Sequence, residues 1–214
     1  MYITWLGQSC LKLSDKTGSD AVTLITDPFD KQIGLPVPHV EADIVTISHG
    51  HFDHNNKDAV RGNPFVIDAA GEYDVKGVQI VGIDSYHDDK EGKERGKNVI
   101  YRITMDDLSV VHLGDLGHTL DDKQLEKING TDILFIPVGG VYTIDARRAV
   151  EVIAQIEPRI VMPMHYKIKD LKVELDGVDK FIKEIGLTPK YEDKFKISKK
   201  DLPQEEMELV ILNL

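Results

Sequence analysis

Cysteine is the scarcest resource in this sequence: Cys10 is the only one in 214 residues. A lone cysteine excludes an internal disulfide and any thiolate metal cluster, and it fits a reducing compartment. Any bound metal must therefore use histidine and carboxylate. Long apolar runs are missing as well, since no stretch approaches the ~20 apolar residues that a membrane helix needs. Met1 to Leu13 carries no basic leader ahead of an apolar run, so the expected localisation is cytoplasmic, with no membrane partner. Positive charge is also short. Against 37 Asp and Glu stand 26 Lys and Arg, a formal net charge of -11 that weakens nonspecific attraction to polynucleotides and anionic lipid. Aromatic residues make up 7% of the chain, which leaves few platforms on which bases could stack.

What remains is the composition of a soluble globular protein, 41% hydrophobic and 29% charged. The length fits one domain over residues 1–214 with a substantial core. Strand-like runs dominate the first two thirds: Tyr2 to Leu6, Cys10 to Leu13, Ala21 to Thr26, Ile44 to Ser48, Phe65 to Asp68, Val75 to Ile83, Asn98 to Met105 and Leu108 to Leu113. Helical spacing comes later, at Leu120 to Ile128, Ala146 to Ile156 and Leu175 to Ile185, with Thr119 and Asp145 placed to cap the first two. Further strands are expected at Ile133 to Val138, Arg159 to Met162 and Glu208 to Leu212. The charged stretch Asp88 to Lys97, with Gly92 and Gly96, reads as a mobile surface loop. Strands with interspersed helices predict a layered α/β domain with helices outside.

The chemistry is concentrated in Ile44-Val-Thr-Ile-Ser-His-Gly-His-Phe-Asp-His54. An apolar strand here delivers His49, His51, Asp53 and His54 within six positions. Imidazole nitrogen and carboxylate oxygen suit borderline first-row metals, and an irregular turn after a buried strand can aim such neighbours into one cavity. The adjacent Asp53 and His54 cannot easily converge on one ion together with both earlier histidines, so the cluster is expected to divide between two ions. A histidine-rich surface loop is the plainer alternative, but histidine is uncommon and this spacing is specific.

The HxHxDH pattern resembles the signature of the metallo-β-lactamase fold superfamily, and the resemblance extends through most of the chain. Five further features follow in the superfamily's order: Asp27 in Leu24-Ile-Thr-Asp-Pro-Phe29, His87 in Asp84-Ser-Tyr-His-Asp88, Asp115 in His112-Leu-Gly-Asp-Leu-Gly-His118, the stretch Pro137 to Gly140, and His165 in Met162-Pro-Met-His-Tyr166. More narrowly, the chain is similar to short metal-dependent hydrolases close to the ascorbate phosphate lactonases and a phosphodiesterase-like branch. The resemblance implies a four-layered αββα sandwich. It also implies that His49, His51 and His87 hold a first ion and Asp53, His54 and His165 a second, with Asp115 bridging and Asp27 orienting a ligand or loop. Two positions depart from the usual pattern, Asn55-Asn56-Lys57 after the motif and Leu116 after the bridging position, and neither is an implied ligand.

Other histidines compete for the third-ligand role. His112 lies inside an apolar run, so a buried structural role is expected for it; His118 could contact substrate or stand behind the ligands, and His39 reads as a loop residue. Substrate choice would fall to Gly71-Glu-Tyr73, Asp88 to Lys97, Gly139 to Thr143 and Tyr166-Lys167, with Tyr142 and Lys167 as candidate contacts. The lysines of Lys167 to Lys172 and Lys194 to Lys200 are interrupted by acidic or apolar residues, so they read as solvated faces and a nucleic-acid partner is not expected.

Two divalent ions can bind a shared water, lower its pKa and present the resulting hydroxide to an electrophile, with Asp53 orienting it. The expected function is therefore a dinuclear metal-dependent hydrolase of a small-molecule substrate, an anionic or phosphorylated ester or lactone. Zinc is the default metal, and manganese or iron would bind the same residues. The alternatives are a metal-dependent phosphodiesterase or nuclease acting on RNA or DNA, and a noncatalytic metal-binding regulatory module.

Overall fold

The computed structural model describes residues 1–15 and 21–214. Strands β1 (Tyr2–Gly7) and β2 (Cys10–Ser14) form an antiparallel hairpin continued by β3 (Thr23–Thr26), β4 (Ile44–Thr46) and β5 (Phe65–Ile67). Strands β3, β4 and β5 run parallel to one another. The next four elements are β6 (Gly71–Val75), β7 (Val78–Tyr86), β8 (Lys97–Met105) and β9 (Leu108–His112), a meander of antiparallel neighbours. Helix α1 (Asp122–Ile128) then leads to β10 (Ile133–Pro137), α2 (Ala146–Ile156) to β11 (Ile160–Met164), and α3 (Val178–Ile185) to β12 (Lys190–Glu192), β13 (Phe195–Lys196) and β14 (Glu208–Leu212).

These strands make two sheets, in the order β13-β1-β2-β3-β4-β5 and β12-β14-β11-β10-β9-β8-β7-β6. Their facing side chains share one core, in which Ile3, Leu13, Leu24 and Ile44 of the first sheet meet Ile80, Ile100, Ile103 and Val111 of the second. Strands β10 and β11 are buried along their whole length, which is why their sequences, Ile-Leu-Phe-Ile-Pro and Ile-Val-Met-Pro-Met, are apolar without alternation. The α-helices contribute Ala149, Val152, Ile153 and Phe181 to the same cluster. A second cluster joins Cys10, Ile25 and Val45 of the first sheet to Ile33 of a 3-10 turn and to Leu171 and Leu175. Loops and single turns thus cover that part of the first sheet.

Some elements differ from the sequence reading, each for a local reason. The expected strand Val75 to Ile83 is a hairpin, because Lys76 and Gly77 both take positive φ (53° and 81°) and turn β6 into β7. Helix α1 is capped by Asp121, not Thr119: Asp121 accepts from Gln124 N–H, and the Gln124 side chain accepts the Asp121 N–H in return. Helix α3 begins at Val178, since Leu175 is drawn into the second cluster instead. Strands β12 and β13 carry little buried apolar surface and give no periodic signal. No helix among the described residues is long and apolar enough to cross a membrane.

One consequence of this topology places the site. Strands β3, β4, β7, β9 and β11 all release their chains toward Asp27, the His49–His54 segment, His87, Asp115 and His165 at their carboxyl ends. Carboxyl ends of parallel strands are where α/β sheets commonly assemble ligand sites.

Candidate metal centre

Strand β4 leaves the core at Ile47, and Tyr101 of the opposite sheet fixes that exit: its hydroxyl lies 2.8 Å from the Ile47 carbonyl and 3.0 Å from that of Ile67. Beyond it the chain curls so that His49, His51 and His87 bring their ligand atoms within 4.8 Å of one another. Asp53, His54 and His165 form a second such group, and His49, His54 and Asp115 a third. Asp115 joins them, with Oδ2 at 3.3 Å from His54 Nε2, 3.2 Å from His87 Nε2 and 3.1 Å from His165 Nε2.

The imidazoles are aimed by carboxylate and hydroxyl partners behind them. Asp27, fully buried after β3, accepts the Ser48 N–H at 2.7 Å and the Ser48 hydroxyl at 2.6 Å, and lies 3.0 Å from His54 Nδ1. With its proton committed to Asp27, Ser48 Oγ can only accept from His49 Nδ1, 2.9 Å away. One carboxylate thereby fixes both rings with Nδ1 protonated and Nε2 turned into the cluster, where it can carry a proton or bind a metal, as outer hydrogen bonds arrange metal-binding histidines. His49 Nε2, His54 Nε2 and Asp115 Oδ1 are buried and lack a hydrogen-bond partner. Buried polar atoms are seldom left this way. A cation, metal or proton, supplies what imidazole nitrogens crowded against carboxylates need, so the donor set fits a metal ion of the kind that accepts imidazole and carboxylate.

Charge follows the same geometry. Burial opposes charge on His54, but the facing carboxylates of Asp115 and Asp53 prevail and hold its imidazolium well above the ordinary histidine range. Burial likewise opposes ionisation of Asp115 and Asp53. The neighbouring His165 and His54 for the first, and His54 for the second, outweigh it and keep both carboxyls below their usual range. His49 shifts the other way, down to about 3, through burial and then the proximity of His54. In the metal-free protein a proton on His54 thus occupies the electrostatic place of a cation.

Residues 2–165 match the beta-lactamase superfamily domain. The chain belongs to the metallo-β-lactamase superfamily. A solved structure from Thermotoga maritima, assigned as a Zn-dependent hydrolase of this superfamily, superposes with a TM-score of 0.80 at 37% identity, over 99% of this chain and 97% of that one. A UPF0173 metal-dependent hydrolase of Methanopyrus kandleri is 25% identical, covering 87% of this chain and 94% of its own. Another, from Archaeoglobus fulgidus, is 28% identical, with 87% and 93% covered. This member of the superfamily is a metal-dependent hydrolase with the metallo-β-lactamase fold.

Several residues of this superfamily member act behind the cluster without having stood out in its sequence. Gln8, at the tip of the β1–β2 turn, donates from Nε2 to Asp53 Oδ2 at 3.0 Å, and its carbonyl accepts the His165 N–H at 3.1 Å. Gln8 is wholly buried at the hairpin tip, a property of the fold that its sequence neighbours do not signal. Asn98 accepts the Asp115 N–H at 2.9 Å and donates to Ser85 and to the Leu113 carbonyl. A Cβ on Gly114 would come within 2.3 Å of Asn98 Oδ1, so this turn, with φ of 57°, accommodates only glycine. His112 is buried; its ring lies 3.0 Å from the Ser9 carbonyl and accepts the Gly114 N–H, which places it under the Asp115 turn. Asn55 and Asn56 brace the motif by donating to the Gly50 and Phe29 carbonyls, and Leu116 is core.

The proposed substrate contacts fall differently. Tyr142 lines a cavity of about 540 Å³ together with His51, Phe52, Asp53, Arg95 and Lys172. Lys167 does not line it: its ammonium holds the Leu171 and Val173 carbonyls. His118 does not either, accepting the Tyr86 N–H at 3.1 Å and facing the Thr119 carbonyl. Gly71-Glu-Tyr73 belongs to strand β6, with the Tyr73 hydroxyl on the Ala69 carbonyl, and Tyr166 is buried against Trp5. The charged segment Asp88 to Lys97 is tied rather than loose. Asp88 accepts the N–H groups of Lys90, Gly92, Glu94 and Arg95. These donors outweigh desolvation and hold its carboxyl at about 2.

Proposed function

We propose that this chain hydrolyses a small anionic or phosphorylated ester or lactone with the help of two divalent ions, zinc by default. His49, His51 and His87 would hold one ion, Asp53, His54 and His165 the other, and Asp115 would serve both. The observation that carries this reading is the convergence of three imidazoles on one Asp115 oxygen between two separate triads. When bound, paired divalent ions lower the pKa of water and polarise the carbonyl or phosphoryl group under attack. The remaining work belongs to the protein. Asp53 is buried, ionised and held by Gln8 on one oxygen, so it can orient the attacking water by accepting its hydrogen bond. Asp27 and Ser48 keep His49 and His54 in the tautomer that presents Nε2.

A cavity of about 540 Å³ is of the size that takes a small molecule, and a net charge of -11 disfavours a polynucleotide; both support a small substrate over RNA or DNA. The test is elemental analysis of freshly purified protein, then an activity screen of that metal form across lactones, phosphodiesters and thioesters. Two ions per chain, activity lost to chelator and restored by a divalent metal are expected. Undiminished activity in metal-free protein would sink the mechanism. Tight RNA binding that weakens steeply with salt would replace the small-molecule substrate with a polynucleotide.

A further inference from the structure

Arg95 stands where two cavities meet. The first opens onto His51, Asp53, His87, Asp115 and His165. The second, of about 560 Å³, runs past His49 and His51 toward Asp68, Asp84 and Lys97. Among the described residues, only His51 and Arg95 line both. Arg95 is anchored at both ends. Its backbone N–H is held by Asp88 at 2.7 Å, and its guanidinium sits 5.0 Å from the centroid of the Tyr142 ring and 3.4 Å from the Val141 carbonyl.

Its charge, by contrast, is uncommitted. Lys90 and Lys93 in the same segment are paired with Glu94 and Glu91, and Arg148 beside it is paired with Asp89. Arg95 enters no ion pair among the described residues. A guanidinium offers five donors in a planar fork suited to carboxylate or phosphate, and stacking on an aromatic face leaves that fork free at its edge. The seat itself is strained. Val141, a β-branched residue, takes φ of 53°, with the Gly140 carbonyl accepting the Tyr142 N–H at 2.5 Å in a tight three-residue turn. Val141 is 56% exposed, so no core packing rewards that conformation. Strain kept in an exposed loop at the mouth of a site is the pattern of a segment shaped for a ligand.

We propose that Arg95, seated on Tyr142, binds an oxyanion of the substrate, a carboxylate or a phosphate, and so delivers the scissile bond to the His51 side of the cluster. Lys172 and Glu174, of opposite charge, share the wall of the first cavity, so the guanidinium is what sets its preference for an anion. This inference rests on the hydrolase reading above and adds the residue that selects among its substrates.

The test uses metal-loaded protein, with metal content verified in every variant. Succinate and methylphosphonate are titrated calorimetrically into wild type, Arg95→Met and Arg95→Lys. Direct contact of either probe with the ions is common to all three, so the difference isolates the guanidinium. Arg95→Met should bind the preferred probe roughly 10- to 100-fold more weakly, the range for one hydrogen bond to a charged partner, and Arg95→Lys should recover part of the loss. The probe that responds identifies carboxylate or phosphate as the group recognised. In parallel, the ratio of kcat/KM for mono(4-nitrophenyl) succinate over 4-nitrophenyl butyrate should fall in Arg95→Met, chiefly through KM. Equal affinity of wild type and Arg95→Met for both probes, or no binding by wild type, overturns the proposal. Failure to turn over any ester would count against the hydrolase reading alone, because the titrations still answer for Arg95.

Discussion

The triad of Asp53, His54 and His165 is buried throughout, whereas in the triad of His49, His51 and His87 the middle member is exposed. The difference runs into the surrounding structure. Asp27 contacts His54 directly, Gln8 holds Asp53, and the Gln8 carbonyl takes the backbone N–H of His165. In the other triad only His49 has such support, relayed from Asp27 through Ser48; the Nδ1 atoms of His87 and His165, one in each triad, are alike buried without a partner. A group of three imidazoles and a group of two imidazoles and a carboxylate are thus supported to different degrees. Preorganised donors lose less freedom on binding, and a site sealed from water exchanges its ion more slowly. Both triads reach the cavity of about 540 Å³, the first through His51 and His87 and the second through Asp53 and His165, but only His51 is exposed.

The sharpest way to break this contrast is to remove what the triads share. Asp115→Ala should strip both positions, and activity should fall by more than the ~10- to 100-fold typical of losing an outer hydrogen-bond partner. Elemental analysis showing one ion fully retained would mean that Asp115 serves a single triad. Next in size is Asp27→Asn, which keeps the shape but weakens acceptance from His54 and Ser48. Metal affinity should drop by about 10- to 100-fold, more at the buried triad, where the contact is direct. Competition with a chromophoric chelator measures this drop. His51→Ala and His54→Ala then separate the triads, each lowering metal content by one ion. During slow dialysis of the wild type against chelator, the first ion should leave well before the second. Simultaneous loss would show that exposure of His51 has no bearing on exchange.

Acidity offers a subtler comparison. Folding raises the pKa of His54, so in the metal-free protein its contribution to stability is complete below its ordinary value of 6.5 and is lost as the pH climbs through the raised value. Asp53, with its pKa lowered, contributes above 3.8 and loses that contribution as the pH falls through its folded value. Metal-free protein should therefore melt at progressively lower temperature on the alkaline side, and metal should abolish that limb by taking the proton's place. A flat alkaline profile without metal would contradict the raised His54. The smallest effect is expected outside both triads: Tyr101→Phe removes the tie between Tyr101 and the Ile47 and Ile67 carbonyls, costing about 1 kcal/mol in denaturant unfolding with metal content unchanged.

Much of this organisation was legible before any coordinates. Both strands with unbroken apolar runs, β10 and β11, and the amphipathic helix α2 with its Asp145 cap are written in local pattern. So is the ligand-rich segment, because His49 to His54 follow one another in sequence. Gln8 and Asn98 are of another kind, since they matter through partners 45 and 17 residues away and nothing in their own neighbourhood announces those partners. Arg95 lies within Asp88 to Lys97, which the sequence marks as a mobile loop with a part in substrate choice but in which nothing singles out one residue. Its fixed position depends on Asp88 gathering four backbone N–H groups, a tertiary fact that composition does not express. Lys167 and His118 misled for the opposite reason: they lie close in sequence to His165 and Asp115, but their polar atoms are used by nearby backbone.

The bond from the His165 N–H to the Gln8 carbonyl joins the first hairpin of the chain to the turn after β11. Loop closure over such a separation comes late, because its entropy must be spent before the contact yields anything. Until that contact forms, the turn that carries His165 is not held against the first hairpin, and the buried triad lacks its last side. Were an ion held there as proposed, its uptake during refolding would mark the moment at which the two sheets close on each other.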